Sequence, residues 1–429
     1  MKKQAVYLTY DGLTDPLGFS QILPYQIEIA QAFPQIEFLI ISFEKTSRYR
    51  HWKEKVENLI AGKNIRWIPL RYTRIPPILS QLWNLYLLYR ILRKALKTQR
   101  VVLIHTRSYM TSLVAFYLKQ RFSFLWIFDM RGLWADERVE GNLWSLKNPI
   151  YRTVYRFFKK KEKAFLRQAD WIITLTHRSV PILSQIAEKP IEEKLSVIPT
   201  ATDYQVFQLS GEEPKTLRKN LFPSLPESAT LLVFSGSLDT WYLLDEMLLF
   251  FKLLLTQQPN SYFLFLSHSD PHLILKRIKE MGISNDRVFI RSVHYTEVPR
   301  YLEASSGSIC FIKPTFSKTA SFPTKIGEYL AMGLPVIANA VGDVQWILAE
   351  TGGGICLEDL SQESLHQALG IFLNLIQQYH NPEERKKLRE KARLYLDKEI
   401  AAQKYVTIYQ NLLANEKLQN ERKLLLRKE

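Results

Sequence analysis

Short apolar runs alternate along the first half of the chain with longer stretches of helical spacing. Val6–Thr9, Phe38–Phe43, Val101–His105, Leu125–Phe128 and Trp171–Leu175 are nearly uninterrupted in hydrophobic character, which suits strands buried on both faces of a sheet. Between them, Gln21–Phe33, Leu79–Leu96, Thr111–Leu118 and Ile150–Arg167 carry apolar residues every third or fourth position. Strands alternating with helices predict βαβ units, hence a parallel sheet with helices on both faces.

A polar, proline-bearing stretch around 203–228 interrupts this pattern, and then it restarts. Strands are expected at Leu231–Ser235, Tyr262–Ser267, Val288–Ile290, Gly307–Ile312 and Pro335–Ala338. Helices are expected at Leu243–Leu255, Leu273–Met281, Val298–Ala304 and Lys325–Met332. Gly352–Gly354 reads as a simple turn, and from Ser364 onward the chain is helical and increasingly charged. The division expected is an α/β protein of two Rossmann-like domains, 1–205 and 206–400, with a helix and a frayed tail over 401–429.

Composition narrows the class. Hydrophobic residues make up 46% of the 429 and charged residues 23%, the balance of an ordinary globular chain and not of a disordered or collagen-like one. Two cysteines, Cys310 and Cys356, provide neither a disulfide framework nor a zinc site and point to a reducing compartment. Lys2 and Lys3 precede an apolar run, Ala5–Leu8, too short for a signal peptide. No stretch reaches the length of a membrane span. A cytoplasmic location is expected.

The net charge is +16, and residues 1–205, with 32 Lys/Arg against 17 Asp/Glu, hold +15 of it. Arg90–Arg100 has five cations and no acid; Ile150–Gln168 has seven cations, one glutamate and several aromatic residues. Such segments suit anionic headgroups, so the first domain is expected to meet an anionic membrane surface. A solvated basic face remains the plain alternative. With no nucleic-acid motif present, nucleic acid is not expected as a partner.

Candidate chemistry concentrates in Ser317–Asp343, SKTASFPTKIGEYLAMGLPVIANAVGD. A polar loop ends in Pro323 and Thr324, where a helix starts with Thr324 available to cap it. The free N–H groups there, joined by Lys325, can hold an anion. One turn on, Glu328 shares a face with Lys325, placed to accept hydrogen bonds from a ribose diol. An amphipathic helix with an incidental Glu–Lys pair would read the same.

PTKxxEYLAxGLPVI resembles the donor-site motif of retaining glycosyltransferases of family 4, whose fold is GT-B: two Rossmann-like domains with a cleft between them and a helical C-terminal extension. ADWIITLT (169–176), VIPTATDYQVF (197–207), FSGSL (234–238) and VPRYL (298–302) fit the same family in order. The resemblance implies donor contacts at Gly236, Ser237, Lys318, Pro323, Thr324, Lys325 and Glu328, with Gly18 approaching the phosphates from the loop Tyr10–Ser20. Two departures accompany it. The family's first glutamate falls on Ala320, and its diphosphate-clamping Arg and Lys fall on Ser237 and Tyr242. Lys318, Lys325 or Lys313 could replace that charge.

In the first half, DMRGLW (129–134) follows a strand. The family usually has a histidine there, near the reaction centre, and Asp129 takes its position. Asp129 could orient a sugar hydroxyl or accept the acceptor's proton, with Arg131 beside it; a buried ion pair is the structural alternative. His105, at another strand end, reads as a core histidine. The function expected is transfer of a sugar from a nucleotide-sugar donor to an acceptor hydroxyl with retention, the acceptor being a lipid-linked or surface glycan. Neither a cofactor nor a metal is expected. A nucleotide-sugar epimerase of the same fold, or an inactive partner in polysaccharide assembly, would fit the same motifs.

Overall fold

The computed structural model describes residues 2–238 and 240–425. It separates into two compact units: Met1–Pro199 with Glu399–Glu429, and Thr200–Lys398. The sequence pattern had placed this division at 205/206 and kept 401–429 apart. The helix Lys398–Leu425 instead runs on from the second unit and packs its first turns into the first. It continues through Leu425, and the rest of the expected frayed tail, 426–429, lies outside the described residues.

The first unit holds seven parallel strands: β1 (Lys3–Leu8), β2 (Ile36–Glu44), β3 (Ile65–Arg71), β4 (Arg100–Arg107), β5 (Leu125–Asp129), β6 (Trp171–Thr174) and β7 (Leu195–Val197). Their order is β3-β2-β1-β4-β5-β6-β7. From β1 the chain winds outward one way to β3, and from β4 the other way to β7. The connections after β1 and β4 therefore diverge, leaving a crevice at the carboxyl edge of the sheet, where ligands bind in folds of this kind.

The second unit repeats the plan with β8 (Thr230–Ser235), β9 (Ser261–Leu266), β10 (Val288–Arg291), β11 (Gly307–Cys310), β12 (Val336–Asn339) and β13 (Gly354–Leu357). The order is β10-β9-β8-β11-β12-β13, again all parallel, so its crevice opens after β8 and β11. The chain enters and leaves this unit side by side: Thr202 N–H donates to Leu396 O at 2.8 Å and Lys398 N–H to Thr202 O at 2.9 Å.

The expected strands are present; those not foreseen lie at sheet edges. β3 (IRWIPLR) is only half-buried and contains Pro69, which an edge strand tolerates because no neighbour needs its missing N–H. β7 and β13 are likewise short edge strands. The helix Thr46–Ile60 buries only Val56 and Ile60, too few apolar residues to show a period. The polar, proline-bearing stretch around 203–228, for which no element was expected, contains the helix Pro214–Leu221 and buries Leu217, Phe222 and Leu225 in the core of the second unit. Gly352, expected as part of a plain turn, closes the helix Val344–Thr351 in the left-handed conformation. Among the described residues, no helix is long and apolar enough to cross a membrane.

Candidate functional site

The crevice of the second unit is built around the short helix Thr324–Ala331. The Ser235 N–H, at the end of β8, donates to the Tyr329 hydroxyl at 2.8 Å, pinning that helix to the strand. The turn that follows is Gly236, with φ +127°; a Cβ there would lie 2.1 Å from Lys325 Cε. Glycine is thus required twice, by the backbone and by the lysine chain crossing it.

Lys325 Nζ donates to the Tyr242 hydroxyl at 2.9 Å and lies 4.4 Å above that ring's centroid. Tyr242 is fixed because its segment pairs antiparallel with the continuation of β11: Lys313 N–H donates to Trp241 O at 2.8 Å and Leu243 N–H to Phe311 O at 3.0 Å. Burial works against the charge on Lys325, but Tyr242, Cys310 and Glu328 together outweigh it and hold the ammonium above its ordinary value. Lys325 is a cation at neutral pH. The turn after β8 carries no cation at Ser237 or Tyr242, and the Lys325 side chain reaches Gly236 in that turn from the helix Thr324–Ala331.

Lys318 is buried in the turn Phe316–Ala320, with its ammonium 3.7 Å from the centroid of the Trp241 ring. Ala320, in the family's first-glutamate position, is completely buried. Pro323 immediately precedes the helix and Thr324 is its first residue; no side chain caps that end, contrary to the cap expected of Thr324. In the first turn the Ile326 N–H donates to Pro323 O at 3.1 Å, while the N–H groups of Thr324 and Lys325 precede the helix's own ladder and point out along its axis. One turn deeper, Glu328 is 9% exposed, and burial raises its carboxyl to about 7 against the opposing charge of Lys325. Ser237 is exposed beyond Gly236, its hydroxyl 3.4 Å from that of Ser269. A cation, helix N–H groups and a buried carboxyl thus follow one another along one helix, an arrangement able to hold a diphosphate and a vicinal diol.

The crevice of the first unit is built differently. The loop after β1 folds over the Glu44 carboxylate, which accepts from Leu13 N–H at 2.7 Å and Thr14 N–H at 3.1 Å. Gly18 is buried against this loop, and a Cβ on it would lie 2.2 Å from Gly12 O. Its role in the structure is close packing of backbone on backbone. Gly18 belongs to this unit, with Asp129 and Arg131, whereas the other expected donor residues belong to the second.

Asp129 ends β5 and is 1% exposed. Its carboxylate accepts from Tyr405 Oη at 3.2 Å and lies 3.8 Å from Arg107 Nη1, 3.9 Å from Arg131 Nη1 and 3.7 Å from His105 Nε2. Burial opposes its ionisation, but Arg131, His105 and Arg107 outweigh burial and hold it below the ordinary aspartate value. His105 is a buried core histidine as expected, its Nδ1 2.9 Å from the Tyr409 hydroxyl, and burial lowers its imidazole. Two non-glycine residues at this edge, Ser108 (φ +65°) and Arg131 (φ +57°), adopt left-handed backbone. Strain of this kind persists only where the surroundings impose it.

Glu44, Arg107 and Tyr405 escaped the sequence pattern, and Tyr242 entered it only as the place of an absent lysine, not as the partner of Lys325. Arg107 and Glu44 sit at strand ends and carried that signal; Tyr405 carried none, because it reaches Asp129 across 276 residues.

Residues 218–395, nearly the whole of the second unit, match the family described as glycosyl transferases group 1. No curated protein matches the chain. Among solved structures, the chain is similar to sucrose-phosphate synthase from Thermosynechococcus elongatus, at 16% identity and a TM-score of 0.68, over 96% of this chain and 100% of that one. A glycosyltransferase from Rickettsia africae is similar at 16% identity and a TM-score of 0.69, over 96% and 99%. HepE from Anabaena, in complex with UDP and glucose, is similar at 14% identity and a TM-score of 0.65, over 96% and 99%.

Proposed function

We propose that this protein, whose two parallel-sheet units have the GT-B fold of glycosyltransferases, transfers a sugar from a nucleotide diphosphate donor to an acceptor hydroxyl with retention of configuration. The observation that carries the donor is the placement of Lys325 over Gly236, with Glu328 one turn deeper. Lys325 and the first-turn N–H groups of Thr324–Ala331 take the diphosphate, and Glu328 takes the ribose hydroxyls. HepE, bound to UDP and glucose, lends the donor class to this proposal.

In the first unit, Asp129 is ionised and held by two guanidinium groups and a tyrosine hydroxyl, a state suited to orienting a sugar hydroxyl. The leaving diphosphate, neutralised by Lys325, helps to take the proton from the acceptor oxygen as that oxygen attacks from the same face. No metal is assigned a part in this scheme. A lipid-linked or surface glycan as acceptor accords with the basic first half, which would bring the protein to the cytoplasmic face of a membrane.

Titration calorimetry with UDP, GDP and ADP, followed by transfer assays with the matching nucleotide sugars, tests the proposal. Nucleotide binding with sugar transfer supports it. A free, epimerised sugar as product would replace it with an epimerase, and binding without any turnover would leave a non-catalytic partner.

A further inference from the structure

The helix Pro77–Thr98 buries one face, with Ser80, Asn84, Leu88, Leu92 and Ala95 turned inward. The Asn84 amide ties that face down, donating to the Tyr10 hydroxyl at 3.0 Å and to Thr73 O at 2.9 Å. The opposite face is open along its whole length. Ile78, Leu79, Leu82, Trp83 and Tyr86 occupy its first turns, and Leu79, Leu82 and Trp83 are 65%, 57% and 56% exposed. Ile75, 81% exposed, extends the row ahead of the helix. Scattered apolar residues on a surface are ordinary, but a contiguous row at helical spacing is not.

The same face changes character halfway along. After Tyr86 it presents Arg90, Arg93, Lys94 and Lys97, all exposed, and the helix has no acidic residue. An apolar row with an aromatic pair, continued by four cations on a helix without an acid, matches a bilayer with anionic headgroups: the first enters the acyl boundary and the second meets the phosphates. The basic helix Pro149–Gln168 is organised otherwise. Its Lys159 pairs with Asp136 at 2.7 Å and with buried Glu162 at 2.5 Å, Lys161 lies 4.4 Å from the Phe116 ring centroid, and Lys163 pairs with Glu188. Much of the charge expected there to face headgroups is spent within the protein.

We infer that the exposed face of Pro77–Thr98 is the membrane-docking element of this protein, inserting Leu79, Leu82 and Trp83 into an anionic bilayer surface. The inference rests on the membrane association proposed above and replaces a purely Coulombic contact with an inserted one.

The full-length protein is sedimented with vesicles of phosphatidylglycerol and phosphatidylcholine, and with phosphatidylcholine alone. The comparison includes L79S/L82S/W83S and R90Q/R93Q/K94Q/K97Q, with melting temperature and nucleotide binding as checks on folding. Binding to the anionic vesicles that falls at least tenfold in both variants, with part of the wild-type binding surviving high salt, is the result expected. Quenching of tryptophan fluorescence by brominated lipid should also drop in W83F. If the wild type binds anionic vesicles but L79S/L82S/W83S binds equally well, membrane association stands and this element is wrong. If the wild type binds no vesicle, both fall. A wild-type dimer that L79S/L82S/W83S converts to monomer, without any lipid binding, would assign the row to a second copy of the chain instead.

Discussion

Glu328 gives a prediction in which stability and binding move in opposite directions. Its carboxyl is raised from 4.5 to about 7 because burial penalises the charged form. Below the ordinary glutamate value, folded and unfolded chains both hold the proton and the residue is neutral toward stability. Between that value and pH 7 the unfolded chain ionises while the folded protein keeps its proton, so stability falls as pH rises. Above pH 7 the penalty is complete: at about 1.4 kcal/mol per unit, it comes to about 3 kcal/mol. Glu328→Gln copies the protonated shape and cannot ionise. Urea melts of both proteins should therefore agree near pH 4 and diverge until the variant is more stable by about 3 kcal/mol near pH 8. Nucleotide-sugar binding should move the other way, losing ~1.5–3 kcal/mol in Glu328→Gln because a charged acceptor for the ribose diol is gone. Parallel melting profiles would refute the burial argument. Unchanged affinity would take Glu328 out of the donor site.

Three further outcomes are expected. If Asp129 orients the reacting sugar as proposed, Asp129→Asn should lower kcat about a hundredfold or more while leaving donor affinity within a few-fold; steady-state kinetics with donor titration separates the two, and a variant that fails to fold would return Asp129 to a structural ion pair. Tyr405→Phe removes one hydrogen bond to the charged form of Asp129, so the acid limb of the kcat/KM profile should shift to higher pH, with a stability loss of about 1 kcal/mol; an unmoved acid limb would argue against the contact. Gly236→Ala places a Cβ at φ +127° against Lys325, and calorimetry should find nucleotide diphosphate affinity reduced at least about tenfold; full affinity would mean that Lys325 does not act from that position.

What the sequence determined by itself is the layered α/β plan and one face of one helix. Buried parallel strands must be apolar on both sides, so β1, β2, β4, β5 and β8 stand out as continuous runs. Lys325 and Glu328 are one turn apart, so helix geometry alone sets them on a common face. Edge strands and the charged helix Thr46–Ile60 bury too little to leave a pattern. Tertiary structure alone decided the rest. Lys325 meets Tyr242 across 83 residues, because an antiparallel pairing outside the main sheet brings Trp241 and Tyr242 beside the end of β11. Tyr405 meets Asp129 because the last helix returns to the first unit. Exposure of Leu79, Leu82 and Trp83 was equally hidden, since an apolar residue at helical spacing reads as core until the packing reveals which face the protein covers. Local periodicity records how a segment is wound; which side chains from distant segments converge on one atom depends on strand order, and strand order is a property of the folded chain.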